Sequence, residues 1–110
     1  MSQKTGVIYQ IRHKETGKSY IGQSTRLRNR LSHHRSRNRN DYFANAIKKY
    51  GWNAFEVIIL HKNVSIQDLD WLERHSIWIF NTLAPNGYNL KQGGITLDVL
   101  KKYIESQKGI

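Results

Sequence analysis

The chain has 110 residues, with 18 Lys or Arg against eight Asp or Glu, so its formal net charge is +10. This length supports one hydrophobic core, and the charge favours an anionic partner, with nucleic acid the leading class. The absence of cysteine excludes disulfides, cysteine-ligated metals and a thiol nucleophile. Because the sequence contains neither a membrane-spanning apolar run nor a signal-peptide core, we expect an intracellular protein, cytoplasmic or DNA-associated, that is not secreted and has no membrane partner.

The N-terminal third predicts a β-hairpin followed by a helix. Residues 7–11 and 19–22 have the composition of strands, and residues 15–18 supply the turn between them. A helix through the thirties follows, in which Leu27 and Leu31 lie one turn apart and face a core. The candidate N-cap residues of this helix are Ser24 and Thr25.

A second helix and a third strand are predicted in the middle of the chain. Asn40 or Asp41 caps the helix, and Gly51 is expected to end it in the αL conformation. Its apolar stripe consists of Phe43, Ile47 and Tyr50. Residues 55–60 are β-branched and apolar, which predicts a central strand that pairs with the hairpin.

The longest predicted helix opens at residues 65–68, which resemble a capping box, and runs to about Phe80. Residues 85–87 have turn chemistry, and residues 88–90 form a short extended piece before a Gly-Gly pair. Beyond that pair the pattern changes to a further amphipathic helix. We therefore expect one domain over residues 1–94 and a C-terminal helix or linker over residues 95–110, with the helix itself at 96–107.

Positive charge is concentrated in one segment, because no carboxylate occurs between Thr16 and Asn40. The arginines of this segment are Arg26, Arg28, Arg30, Arg35, Arg37 and Arg39, accompanied by His33 and His34. A solvated helix face would explain such a run. However, every cation from Arg26 to Arg39 is an arginine, and the planar guanidinium suits phosphate oxygens better than an ammonium does. The segment predicts contact with nucleic acid.

Five side chains have the chemistry needed to cleave a phosphodiester. Tyr9 and Tyr20 lie on the predicted hairpin, and Arg30 and His34 share one face of the next helix. Glu73 shares the apolar stripe of the longest helix, where an unpaired carboxylate is costly; the stripe consists of Ile66, Leu69 and Ile77. Together these groups could activate water, neutralise phosphate charge and hold a metal. The spacing leaves alternatives open, namely packing of the tyrosines and, for Glu73, a position at a stripe edge open to water or a structural ion pair.

The two tyrosine motifs resemble the paired signature of the GIY-YIG nuclease family. Val7-Ile8-Tyr9 is followed after ten residues by Tyr20-Ile21-Gly22, with Val7 where the family has its first glycine. Further resemblances in family order are Arg30 and His34, Lys49-Tyr50-Gly51 followed by Phe55, and Gly87-Tyr88-Asn89. The resemblance covers residues 6–94, and the homing-endonuclease branch is the most similar.

The resemblance implies a small α/β (α+β) domain in which helices flank a three-stranded antiparallel sheet. It also implies DNA cleavage with one divalent ion, Mg²⁺ or Mn²⁺. By the resemblance, Tyr9 is the general base or water-positioning phenol, Tyr20 orders the site, and Arg30 clamps the phosphate. His34 relays or accepts a proton, and Asn89 supports the site by hydrogen bonding. A tyrosine base needs a lowered pKa, for which Arg30 and the metal are the expected cause.

The same resemblance places the metal ligand at Glu73, four residues before Ile77 and shortly ahead of Asn81-Thr82. A rival register, anchored on Trp78-Ile79, would place His75 there instead. Two residues along a helix are rotated by about 200°, so the two side chains cannot share one site. Since Mg²⁺ prefers oxygen ligands, Glu73 is the stronger candidate.

The leading functional hypothesis is therefore a metal-dependent endonuclease that acts on double-stranded DNA. Its expected DNA-binding residues are Arg26, Arg28, His33, Arg35, Arg37 and Arg39. The alternative is a DNA-binding module on a nuclease fold that has lost cleavage. An RNA-binding domain is a third possibility, but the sequence carries neither an RRM-like aromatic motif nor a KH-type loop.

Overall fold

The computed structural model describes residues 4–36 and 41–90. They form a three-stranded antiparallel sheet flanked by three α-helices, which confirms the expected fold class. In chain order the elements are β1 (Thr5–His13), β2 (Ser19–Ser24), α1 (Leu27–Arg35), α2 (Tyr42–Tyr50), a 3₁₀ turn (Trp52–Ala54), β3 (Phe55–Ser65) and α3 (Ile66–Phe80).

Some predictions fall outside the described residues. These are the helix at 96–107, the domain boundary at 94, the candidate helix cap Asn40, and two of the expected DNA-binding residues, Arg37 and Arg39. Within the described ranges, no helix combines the length and apolar character needed to cross a membrane.

The sheet has the order β2-β1-β3, so the strand from the first tyrosine motif is central. In register, Tyr9 lies opposite Gly22 of β2 and Ile59 of β3. The prediction that residues 55–60 form a central strand is therefore wrong in position, although the expected pairing with the hairpin is confirmed. The apolar run of β3 is not buried on both faces, since Val57 and Ile59 remain 37% and 41% exposed.

Alternation along the strands builds a separate core on each face of the sheet. On one face, Tyr9 and Ile11 pack against α2, and Leu27 and Leu31 of α1 join that cluster as predicted. The opposite face packs against α3, and its buried residues are Ile8, Ile21, Leu69 and Ile77. The sheet is therefore a middle layer between α1 and α2 on one side and α3 on the other.

The helix starts agree only partly with the predicted caps. Asp41 caps α2, accepting a hydrogen bond from the Ala44 backbone N–H at 2.8 Å. The N-cap of α1 is Arg26, without a side-chain bond, because Ser24 instead accepts the Arg26 backbone N–H one step earlier. Ser65 makes no capping bond either, because it still pairs with β1 as the last residue of β3. The capping-box prediction is therefore wrong.

The stripes of α2 and α3 are narrower than predicted. Phe43 and Ile47 are buried, whereas Tyr50 and Ile66 are each 47% exposed. Gly51 ends α2 with φ 85° and ψ 148°, so the expected positive φ is found but the αL conformation is not. The glycine is required by its φ, which residues with a Cβ adopt only with strain.

The segment predicted as extended at 88–90 contributes only one isolated bridge, between Leu83 and Asn89. Instead of a paired strand, the Asn89 side chain provides the hydrogen bonds to the backbone of β2. Its amide donates to the carbonyl of Ile21 and its oxygen accepts the N–H of the same residue, both at 2.9 Å. Thr82 Oγ1 donates to that oxygen at 2.7 Å. Asn89 therefore fixes β2 at the centre of the second tyrosine motif.

Candidate active site

The predicted residues of β1, β2 and α1 meet in one cluster. Tyr9 Oη lies 2.8 Å from His34 Nε2, and Arg30 Nε donates to the same phenol oxygen at 3.3 Å. Tyr9 and His34 are fully buried. The ring of Tyr20 lies with its centroid 6.4 Å from that of Tyr9 and 5.0 Å from that of His34. The single turn between Arg30 and His34 allows both to reach one phenol.

Tyr20 is held by packing and interacts electrostatically with Arg30. Its ring stacks on Phe43 with a centroid distance of 4.6 Å and an interplanar angle of 3°. Tyr20, like Tyr9, raises the pKa of the Arg30 guanidinium. The guanidinium therefore links the two tyrosine motifs and remains only partly buried, open to an anionic ligand.

Gly22, the last residue of the second tyrosine motif, makes room for Tyr9. A Cβ built at Gly22 would lie 2.5 Å from Tyr9 Oη and 3.1 Å from Tyr20 Cε1. The strand register explains this closeness, since Gly22 lies directly opposite Tyr9. Val7, the departure from the family pattern, is accommodated because it packs against the core.

Gly22→Ala is expected to displace the Tyr9 phenol and to cost about 1–3 kcal/mol of stability, as overpacking typically does. Gly51→Ala is the matched control, because nothing lies near Gly51 and its cost is backbone strain alone. Thermal unfolding and DNA cleavage should be measured for both variants. Loss of cleavage in Gly22→Ala only, at similar stability, is the expected result. Equal cleavage by both would show that the close approach of Gly22 has no role in the site.

The pKa of Tyr9 is raised, whereas a tyrosine base was expected to have a lowered pKa. Burial raises the pKa of the Tyr9 phenol, and Tyr20 raises it further, while the hydrogen bond and charge of Arg30 lower it by less. The expected lowering by Arg30 is therefore present but is outweighed by desolvation. Tyr9 is a neutral phenol at physiological pH.

Glu73 approaches this cluster from the α3 side of the sheet. Burial raises the pKa of the Glu73 carboxyl, and the nearby Asp70 adds to this, whereas a hydrogen bond from Gln23 and the charge of Arg30 lower it. The charge of Glu73 in turn raises the pKa of Tyr9. The carboxylate is therefore within electrostatic reach of Tyr9 and Arg30, close to the edge strand β2.

His75, the rival for the metal position, lies in different surroundings. Its ring packs between Trp71 and Trp78, with centroid distances of 6.3 and 6.2 Å. Burial lowers the pKa of His75, and the charge of His61 lowers it further. These neighbours belong to α3 and β3. Glu73, whose charge acts on Tyr9, is therefore the residue of the two that is coupled to the tyrosine cluster.

The described part of the basic segment exposes cationic side chains along α1 and at its N-cap. The exposed residues there are Arg26, Arg28, His33 and Arg35. The guanidinium of Arg35 lies over the ring of Trp52 at 5.8 Å from its centroid. These side chains are outside the buried tyrosine cluster, so the structure separates them from the candidate catalytic residues.

Sequence reasoning missed two polar neighbours of Glu73. Gln23 Nε2 donates to Asp70 Oδ1 at 2.8 Å and to Glu73 Oε1 at 3.3 Å. The available signal was the spacing, because Gln23 alternates with Ile21 toward α3, and Asp70 and Glu73 are three residues apart on one helix face.

A divalent ion at this site would have few ligands from the protein. Among residues 4–36 and 41–90, no group of three or more His, Asp or Glu side chains could hold a metal. Mg²⁺, however, usually keeps several waters and binds through one or two carboxylates together with substrate phosphates. The single carboxylate of Glu73, near Arg30, therefore fits an ion that is shared with a phosphate.

Comparison with known proteins agrees with this geometry. Residues 5–89 match the GIY-YIG catalytic domain. A mutant of the catalytic domain of the intron endonuclease I-TevI is similar at a TM-score of 0.66 and 25% identity, over 80% of this chain and 95% of that one. The catalytic domain of the homing endonuclease I-TevI is similar at 0.64 and 24%, over 78% and 98%. No curated protein sequence matches the chain. The chain belongs to the GIY-YIG nuclease family, as its two tyrosine motifs indicate.

Proposed function

We propose that this domain is an endonuclease that hydrolyses phosphodiester bonds in double-stranded DNA with one divalent ion, Mg²⁺ or Mn²⁺. The observation that carries the proposal is the hydrogen-bonded chain of Arg30, Tyr9 and His34, with a carboxylate in electrostatic reach. Family membership and the similarity to a homing endonuclease support DNA as the substrate.

The hydrogen bonds of Tyr9 suggest a proton relay rather than a stable phenolate. Arg30 donates to the phenol oxygen, so the phenol O–H is left to donate to His34 Nε2 in the tautomer protonated at Nδ1. As water attacks phosphorus, its proton passes to the Tyr9 oxygen while the phenol proton passes to His34. This relay fits the raised pKa of Tyr9, since no free phenolate is required.

Arg30 and Glu73 have the complementary task of handling phosphate charge. The partly buried guanidinium of Arg30 can contact a non-bridging oxygen as negative charge develops. Glu73 would hold the divalent ion, which when bound supplies a positive charge for the phosphate and the leaving oxygen. Asn89 acts on the site indirectly, because it fixes the backbone of Ile21 between Tyr20 and Gly22.

Cleavage of supercoiled plasmid in Mg²⁺, compared with EDTA, tests the proposed function. We expect relaxation or linearisation in Mg²⁺ and complete loss of both in EDTA, because removing the ion removes the charge that Glu73 would recruit. A protein that binds plasmid but leaves it intact in Mg²⁺ and Mn²⁺ would instead be a DNA-binding module. Cleavage that persists in EDTA would contradict the metal dependence.

The arginine-rich segment from Arg26 to Arg39 predicts a steep dependence of duplex binding on salt. Each neutralised phosphate contributes about −0.9 to the slope of log K against log salt. With at least five of the six arginines of this segment engaged, we expect a slope of magnitude about four or more. Fluorescence anisotropy with a labelled duplex at several salt concentrations measures it, and a flat response would contradict binding through this segment.

A further inference from the structure

Gln23 lies on β2 directly after the second tyrosine motif, but on the other face of the strand. Tyr20 and Gly22 are on the side of Tyr9, whereas Ile21 belongs to the core beneath α3. Because side chains alternate along a strand, Gln23 points with Ile21 toward α3. It therefore joins the strand that carries the tyrosine motif to the helix that carries Glu73.

The amide of Gln23 is shared between two carboxylates. Its Nε2 donates to Asp70 Oδ1 at 2.8 Å and to Glu73 Oε1 at 3.3 Å. An amide nitrogen carries two hydrogens, so one can serve each carboxylate. The shorter bond to Asp70 fixes the amide with its nitrogen toward α3, and the longer bond then restricts Glu73.

The charges explain why a neutral donor is useful at this position. Asp70 and Glu73 repel each other, and this repulsion opposes ionisation of Glu73, while the Gln23 hydrogen bond favours it. A lysine there would neutralise the carboxylates and compete with a cation. An amide stabilises the ionised carboxylate and leaves its charge available, since a carboxylate oxygen has further lone pairs.

We infer that Gln23 is a positioning residue for Glu73. Its amide, which is anchored on Asp70, holds the Glu73 carboxylate toward Tyr9 and Arg30 and thereby sets the affinity of the site for a divalent ion. The inference rests on the proposed function, in which Glu73 binds that ion. Loss of such outer-sphere partners typically weakens metal binding about 10–100-fold.

Gln23→Met tests the inference, because it keeps the length of the side chain and removes both hydrogen bonds. Mn²⁺ binding to the whole protein should be followed by loss of the free-ion EPR signal. We expect a Mn²⁺ dissociation constant raised about 10–100-fold. Melting temperature and duplex affinity should be nearly unchanged, and plasmid cleavage should return when Mg²⁺ is increased. Gln67→Met, an exposed change on the same helix as Glu73, is the control and should bind Mn²⁺ like the parent protein.

Glu73→Gln and Asp70→Asn distinguish a failure of the inference about Gln23 from a failure of the proposed metal site. If Glu73→Gln abolishes Mn²⁺ binding but Gln23→Met binds normally, the inference about Gln23 is wrong and the proposed metal site stands. If Glu73→Gln binds Mn²⁺ like the parent protein, the proposed metal site is wrong. If Asp70→Asn weakens Mn²⁺ binding more than Gln23→Met does, Asp70 is itself a ligand, and its assignment as an anchor is overturned.

Discussion

Glu73→Gln is expected to abolish cleavage of supercoiled plasmid while leaving duplex binding intact or slightly stronger. The substitution keeps the size of the side chain and removes the negative charge that would hold the ion. An amide oxygen is a much weaker ligand for Mg²⁺. Binding should not suffer, because one repulsive charge near the phosphates disappears. Gel-based cleavage in Mg²⁺ and anisotropy with a labelled duplex measure the two effects.

His75→Gln is the control, since His75 is on the same helix but lies between Trp71 and Trp78. It should cut plasmid at close to the parental rate. If instead His75→Gln is inactive and Glu73→Gln cuts normally, the metal position has been assigned to the wrong face of α3.

Arg30→Ala should reduce the rate of cleavage at least about 10²-fold. This is the size of the loss when a single electrostatic donor is removed from other active sites. Arg30 hydrogen-bonds the Tyr9 phenol and is only partly buried, so it can meet charge that develops on the phosphate. An interaction of this kind helps the transition state more than the bound ground state. Single-turnover cleavage under saturating protein separates the rate from the affinity.

Arg28→Ala is the matched comparison, because Arg28 is exposed on the same helix. It should weaken duplex binding and change the single-turnover rate little. Parallel losses of rate and binding in both variants would mean that Arg30 is only another of the DNA-binding arginines of this segment.

Local patterns predicted most of the fold. The strand and helix positions follow from alternation and helical spacing, and α3 covers Ile66–Phe80 as expected. The order of the strands in the sheet could not be predicted from local patterns. An apolar run such as residues 55–60 is typical of a central strand, but whether it lies at an edge depends on which parts of each face the helices cover. The failed caps have a similar cause, since the pairing of Ser65 with β1 overrides its local preference.

The candidate site was predictable in membership but not in its chemistry. The motifs located Tyr9, Arg30 and His34, and the structure brings them into one hydrogen-bonded chain. The raised pKa of Tyr9 depends on burial by residues distant in sequence, which spacing does not report. The link from Gln23 to Asp70 was inaccessible for the same reason, because it joins a strand and a helix 47 residues apart.

The hydrogen bonds between Asn89 and Ile21 bridge 68 residues, so they make the tyrosine motif dependent on the last described part of the domain. During synthesis, both tyrosine motifs leave the ribosome well before Asn89. Until Asn89 arrives, the N–H and C=O of Ile21 lack this partner, and the edge of β2 is open to other chains. Closing so long a loop is a slow step in folding. We therefore expect the hydrogen bonds of Asn89 to complete the outer edge of β2 late in folding.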